Sequence, residues 1–296
     1  MGTRIIKIFF SLILFCLDKL QNLFKRNKFR TIVVLYYHAV SESEREKFAA
    51  QLDMIQRSGI TPIEPSAFHK EFKKGRFCCI TFDDGFQSTI DNAVPELTKR
   101  SMPCVLFIPT GSLGHRPRWV TDERHSYFQE HVIDKDVLKS IASLDLVTIG
   151  SHGTHHFDSN AITDDEFERE IVTSKEALDR IIGTPVDIFS FPFGRCSERH
   201  REILQRNGYR NAFSTVPTVL SEASVPLIIG RVNCDCKDWP LEFYLKLSGA
   251  YRWQKTASRL KWILLNKLEF LSQLQNAFRW QEMAARMRLL FKKGEL

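Results

Sequence analysis

The sequence predicts an α/β domain, a mainly parallel sheet closed into a barrel or doubly wound, with helices on its outside. Two observations carry the prediction. Short runs of β-branched and aromatic residues alternate with stretches of helical period along the middle of the 296-residue chain. The polar residues of unusual chemistry all fall where such a run ends: His38, the pair Asp83 and Asp84, His152 with His156, and the "PFG" turn at 192–194. That is the edge at which parallel sheets collect reactive side chains.

Taken in order, "TIVVLYYH" (31–38) shows no polar alternation and reads as a strand covered on both faces. The helical pattern after it stops at Gly59. "FCCITF" (77–82) is the next strand, and its helix holds Pro95 early enough to be tolerated or to kink it. Further strands are expected at 103–111 and 146–150, then a long helix over 164–183 that ends on Gly183. A strand at 188–194, a helix at 198–207 and strands at 212–215 and 228–232 complete the alternation. Internal repeats and glycine-rich phosphate loops are absent from the sequence.

Charge divides the chain into three. Residues 1–30 carry seven Lys/Arg and one Asp, and residues 251–296 carry ten Lys/Arg and three Glu. The overall +7 therefore leaves 31–250 at −6, so basicity belongs to the tails, and no nucleic-acid partner is expected of the core. The expected organisation is an N-terminal amphipathic or anchor segment (1–30), a catalytic domain (31–250) and a basic helical tail (251–296). In the first segment the apolar stretch before Asp18 is too short for the ~30 Å hydrocarbon core. An apolar stripe at Ile13, Leu17, Leu20 and Phe24 then continues as an interfacial helix or an uncleaved anchor would. Docking on the domain is the plainer alternative. Lys25, Arg26, Lys28 and Arg30 follow, which favours a cytoplasmic domain at a membrane surface over an extracytoplasmic one. The tail repeats apolar residues at Leu260, Ile263, Leu264, Leu268, Leu271 and Leu274 and reads as a second basic helix, packed on the domain or on a membrane. Seven cysteines at irregular spacing do not form a disulfide framework, and Cys234 with Cys236 is too short a pattern for a metal site.

The chemistry is concentrated in two stretches. "ITFDDG" (80–85) puts two carboxylates side by side at a strand end, where they repel and are costly to desolvate. "TIGSHGTHH" (148–156) puts three histidines after another strand. His152 and His156 are four apart and converge if the segment makes a helical turn, with Gly153 shaping a tight loop and His155 competing for the second place. Two histidines and Asp84 make the three-ligand set of a catalytic divalent metal with open positions. The neighbouring Asp83 is then free to take a proton from water, and a cation relieves the repulsion of the pair.

"TFDDG", "SHGTHH" and "FSFPFG", in that order, resemble the polysaccharide deacetylases, the carbohydrate-esterase group with the NodB homology domain, over about residues 31–250. "LYYHAV" (35–40) and the late "LKLSGAY" (245–251) also fit the subgroup whose third motif reads F-x-[YF]-P-[YF]-G. The resemblance implies a distorted (β/α) barrel of seven or so strands. It also implies metal-dependent hydrolysis of N-acetyl, sometimes O-acetyl, groups on amino sugars. By position it makes Asp83 the base, Asp84, His152 and His156 the ligands of one divalent ion, and Pro192 and Phe193 the motif whose backbone N–H donates to the oxyanion. Zinc leads the candidate ions, with cobalt, nickel, manganese and iron accepted by the same donors. Two features depart from the family. Ser190 stands where better-known members have an arginine that orients the base, and the later histidine that protonates the leaving amine has no clear match. Arg231 is the candidate for the first role, against a surface ion pair, and His38 for the second, against a structural histidine.

Other chemistries fit less well. A glycosidase needs two acids about 5 to 10 Å apart on different strands and no histidines, and an aspartyl phosphotransferase wants D-x-D where this chain has Gly85. A sugar-binding relic without turnover is the non-enzyme alternative. The expected partners are an N-acetylated glycan or lipid-linked sugar and a membrane surface.

Overall fold

The computed structural model describes residues 2–24, 30–69, 74–220 and 225–257. Packing divides the chain into two units, Met1–Arg252 and Trp253–Leu296. Of the second, only 253–257 are among the described residues, so the basic tail expected over 251–296 lies outside them from residue 258 onward, as do Lys25, Arg26 and Lys28.

The first unit opens with a helix, α1 (Gly2–Phe24), and then alternates strand and helix. The strands are β1 (Arg30–Tyr37), β2 (Thr61–Pro62), β3 (Gly75–Phe82), β4 (Cys104–Ile108), β5 (Val147–Ser151), β6 (Ile188–Ser190), β7 (Asn211–Ser214), β8 (Val219–Leu220), β9 (Ile228–Gly230) and β10 (Val232–Asn233). The helices between and after them are α2 (Arg45–Arg57), α3 (Gln87–Lys99), α4 (Lys135–Ala142), α5 (Asp164–Ile182), α6 (Glu198–Arg206) and α7 (Pro240–Leu247). Pro95 does not interrupt α3. Thr163 and Glu166 cap the start of α5 reciprocally, and Gly183 at φ 76° ends it in the left-handed conformation that glycine adopts without strain.

The sheet runs β10-β1-β3-β4-β5-β6-β7-β9, all neighbours parallel, with β8 antiparallel on β1 and β2 beside β3. Its two ends belong to one stretch of chain. β9 pairs with β7 and β10 pairs with β1, so residues 228–233 close the ring between them. Counting that stretch once gives seven staves, which matches the (β/α) barrel implied by the family resemblance.

Inside-outside alternation along the staves is strict. On β3, Cys78, Ile80 and Phe82 join the apolar layer under the helices, whereas Cys79 faces a second cluster with Ile32, Val34, Val105, Phe107, Ile188, Phe213 and Ile229. This second cluster fills the barrel. Continuing its period of two toward the C-terminal rim reaches Thr81 and Asp83 on the β3 stave, Ser190 on β6 and Arg231 after β9. The barrel is therefore apolar below and polar at the top. All seven cysteines are free, and Cys78, Cys79, Cys104, Cys234 and Cys236 are buried as small hydrophobes.

Helix α1 docks on this domain. The stripe read from sequence at Ile13, Leu17 and Leu20 is not the docked one: these residues are exposed, and Ile8 and Phe15 meet the core instead. Among the described residues no helix is long and apolar enough to cross a membrane.

Candidate active site

Asp83 and Asp84 separate because the backbone turns between them. Asp83 keeps the inward direction of the β3 row and its N–H still donates to the Tyr37 carbonyl at 3.0 Å. Asp84 then takes a left-handed conformation, φ 70°, followed by Gly85 at φ 60°. A side chain at position 85 would be strained and would bring its Cβ to 2.8 Å from Ile108 Cδ1. Strained backbone held at a non-glycine residue marks positions that packing over-determines, and His156 (φ 59°) and Phe193 (φ 58°) are two more at the same site.

Asp83 is gripped by Arg231. The guanidinium donates from Nη1 to Oδ1 at 2.8 Å and from Nη2 to Oδ2 at 2.7 Å, a bidentate fork. Ser190 completes the grip: its hydroxyl donates to Asp83 Oδ1 at 3.1 Å and accepts from Arg231 Nη2 at 2.8 Å. Thr81 Oγ1 accepts from Nη1 at 3.1 Å, and Tyr36 lies under the guanidinium at 4.7 Å. Arg231 is fully buried, so the surface ion pair weighed from sequence is not what the structure contains. Burial alone would raise the Asp83 carboxyl. The charges of Arg231 and His152 outweigh it and hold the carboxyl below its usual range, ready to accept a proton only when one is delivered.

The histidines come from the loop after β5. No helical turn forms there; Gly153 (φ 76°) and His156 in left-handed backbone bring the two rings together instead. Glu170 on α5 holds the loop from behind, accepting from the N–H groups of Thr154 at 2.9 Å and His155 at 2.7 Å, with its other oxygen 2.6 Å from His155 Nδ1. This settles the competition: His155 turns outward onto Glu170, and His156 turns inward. His152 Nδ1 lies 2.8 Å from the Ser190 carbonyl, which can only accept, so the proton sits on Nδ1 and Nε2 presents a lone pair.

Asp84, His152 and His156 each offer a ligand atom, all within 4.8 Å of one another, and all three residues are buried. His152 Nε2 and His156 Nε2 stand 3.4 and 3.1 Å from Asp84 Oδ1, an edge length close to the ~3.3 Å expected between ligands around a tetrahedral ion with bonds of about 2.0 Å. Asp84 Oδ1 has no hydrogen-bond partner although it is buried. An orphaned carboxylate oxygen facing two imidazole nitrogens fits a divalent cation and fits little else. Burial alone would raise the Asp84 carboxyl, and the two imidazoles beside it hold it well below its usual range. Burial also pulls both imidazoles down; the two aspartates outweigh it at His152, which is raised, whereas burial prevails at His156, which is lowered toward the neutral form that ligates metal.

These groups sit at one side of a cavity of about 400 Å³ whose wall includes Tyr36, His38, Trp119, Tyr127, Phe193 and Thr215. Trp119 stacks on His156 at 4.0 Å with 12° between planes, and the ring of Phe193 meets the same imidazole edge-on at 4.9 Å. His38 is on the wall, stacked on Tyr127 at 5.7 Å. Trp119, His125 and Tyr127 come from the long segment between β4 and α4 and were not singled out from sequence. Only its length and aromatic content pointed to it.

The comparisons agree with this geometry. A family profile described as "Polysaccharide deacetylase" matches residues 70–212, a stretch that contains both aspartates and all three histidines of the 152–156 loop. Residues 70–212, just under half of the chain, are therefore similar to the polysaccharide deacetylases. A Bacillus subtilis relative, YxkH, named as a candidate polysaccharide deacetylase, is 27% identical over 219 residues, covering 71% of this chain and 73% of the relative. The barrel has the fold of IcaB from Ammonifex degensii, at TM-score 0.64 and 23% identity over 77% of this chain and 100% of that one. Streptococcus pyogenes deacetylase PplD, solved in complex with acetate, is similar at TM-score 0.61 and 20% identity, over 73% of this chain and 98% of that one. His38 and Arg231 both lie outside the profile's match, so their place in the deacetylase site rests on the structure alone.

Proposed function

We propose that the protein is a metal-dependent hydrolase that removes N-acetyl, or O-acetyl, groups from an amino sugar in a cell-envelope, exported or lipid-linked glycan. The observation that carries the reading is the division of the aspartate pair. Asp83 is held by protein donors, while Asp84 faces His152 and His156 with an oxygen that has no hydrogen-bond partner, and all four line a cavity large enough for a sugar ring.

A divalent ion, zinc first among the candidates, held by Asp84, His152 and His156 supplies Lewis-acid polarisation of the acetamide carbonyl and of water. The rest belongs to the chain's own groups. Asp83 takes the proton from the attacking water, and Arg231 with Ser190 keeps its carboxylate in one orientation while it does so. The Ser190 carbonyl fixes the His152 tautomer. The backbone N–H of Phe193 is assigned to the oxyanion of the tetrahedral intermediate, where one such donor is worth roughly 3 kcal/mol. His38, on the cavity wall, is assigned the proton that the departing amine needs. Trp119 and Phe193 offer ring faces and edges to a sugar.

A sugar-binding relic would rest on the missing motif arginine and the unassigned general acid; the fork from Arg231 to Asp83 speaks against the first ground. Acetate release from N-acetylated oligosaccharides by the purified protein, after chelation and with zinc restored, tests the proposal. Release that requires the ion and is lost in Asp83→Asn supports it; no release from any acetylated amino sugar in the zinc-loaded protein refutes it.

A further inference from the structure

We propose that the outer face of α1 is a lipid-docking surface, seated in the headgroup layer of an anionic bilayer with the helix lying in the membrane plane and the domain hanging from its inner face. At about 100° per residue, Arg4, Ile8, Ser11, Phe15 and Asp18 form one narrow stripe, and the domain holds that stripe at both ends. Arg4 donates to Glu242 at 2.6 Å and to the Lys237 carbonyl at 2.7 Å, while Asp18 accepts from Arg252 at 2.6 and 2.7 Å. Between them Ser11 is fully buried and Phe15 packs edge-on against Tyr244 at 5.6 Å.

The opposite side of the helix carries Ile5, Ile6, Phe9, Ile13, Leu17 and Leu20, each between 43% and 59% exposed. Over 23 residues this is an apolar strip about 35 Å long. Lys7 and Lys19 fall on its two borders, and the one acid of the helix, Asp18, is on the docked side and already paired with Arg252. A wide apolar arc with lysines at its margins and no acid is the composition of a helix that lies in an anionic interface.

Charge decides among occupants. A second copy would bring lysine margins against lysine margins. The chain's own tail, ten Lys/Arg against three Glu in 251–296, is of the same sign. Anionic headgroups are complementary, and Lys25, Arg26 and Lys28 continue the same charge in the sequence directly after the helix. Crossing the bilayer is a different matter: no described helix is long and apolar enough for it, and insertion would break the Arg4 and Asp18 ion pairs.

The docking also bears on substrate. The N-terminal end of α1 rests on Lys237 and Glu242. They follow β10 on the same rim as His38, because β10 runs parallel to β1. A bilayer against α1 therefore lies beside the rim that opens the cavity. Resting on the deacetylase reading, this points to a glycan carried on a lipid or presented at the membrane surface.

The test is sedimentation of the full chain with vesicles of phosphatidylcholine alone and of phosphatidylcholine with phosphatidylglycerol. The expected result is binding to the anionic vesicles only. It weakens about fivefold for each of Lys7→Gln and Lys19→Gln and at least about tenfold in the double variant Phe9→Glu, Leu17→Glu. A fluorophore on the exposed Cys16 should be quenched by brominated lipid. Absence of vesicle binding, or binding that survives the double glutamate variant, overturns the proposal. So does a wild-type dimer that the double variant converts to monomer without any vesicle binding, which assigns the face to a second copy. Acetate release from a soluble oligosaccharide should be equal in wild type and the double variant. Vesicle binding without acetate release from any substrate leaves the docking in place and removes the deacetylase reading.

Discussion

Asp83 and Asp84 are adjacent in sequence and equally buried at 3% exposure, yet their surroundings are opposites. Around Asp83 both oxygens are taken by fixed protein donors from two other staves of the barrel. Around Asp84 one oxygen has no hydrogen-bond partner and faces two imidazole nitrogens. The first environment is complete as a protein; the second has the donors to be completed by a cation. The lesson is that a repulsive pair of like charges can be accommodated by giving each member surroundings of a different kind, a guanidinium built into the fold for one and an open set of donors that a cation would complete for the other.

The comparison can be broken in four places. Asp83→Asn leaves a neutral side chain that cannot take a proton, so kcat falls by about 10² to 10⁴ while metal content, read by elemental analysis, stays at wild-type level; loss of metal would reverse the roles of the two aspartates. Arg231→Met strands a buried carboxylate and should cost about 3 to 5 kcal/mol in denaturant unfolding. The cost should shrink in an Asp83→Asn background, and additive losses would mean that the fork is not what holds Arg231 in place. On the open side, an ion at a hundredfold its dissociation constant should stabilise wild type by about 2.7 kcal/mol and His156→Ala hardly at all. Smallest is Glu170→Gln, which loosens the loop behind the histidines and should weaken metal binding about tenfold, whereas His155→Ala should leave it unchanged.

How much of this was legible depended on distance along the chain. The strand ends, the paired aspartates and the His152, His155 and His156 cluster are local patterns, and a parallel α/β fold follows from their spacing. Spacing and the family resemblance both favoured His156, but the residues alone left His155 in competition; what turns His155 away is Glu170, on a helix fifteen residues beyond it. Arg231 stood only as a candidate, since its reach to Asp83 spans 148 residues and depends on the barrel closing. The cavity wall from Trp119 to Tyr127 has no periodicity to read. On α1 the conspicuous apolar stripe said nothing of the side that docks on the domain: the domain holds the narrower stripe, where Arg4 and Asp18 find partners over two hundred residues away.

The closure of the barrel has a consequence for how the enzyme comes into being. The three candidate ligands are all translated by residue 156, but the arginine that grips Asp83 arrives only with the final stave, at 231. A chain caught before that stave pairs on both sides can gather its Asp84, His152 and His156 yet leaves Asp83 without its guanidinium. Completion of the fold and arming of the site thus become a single event, and a half-made or proteolytically opened barrel is disarmed by construction.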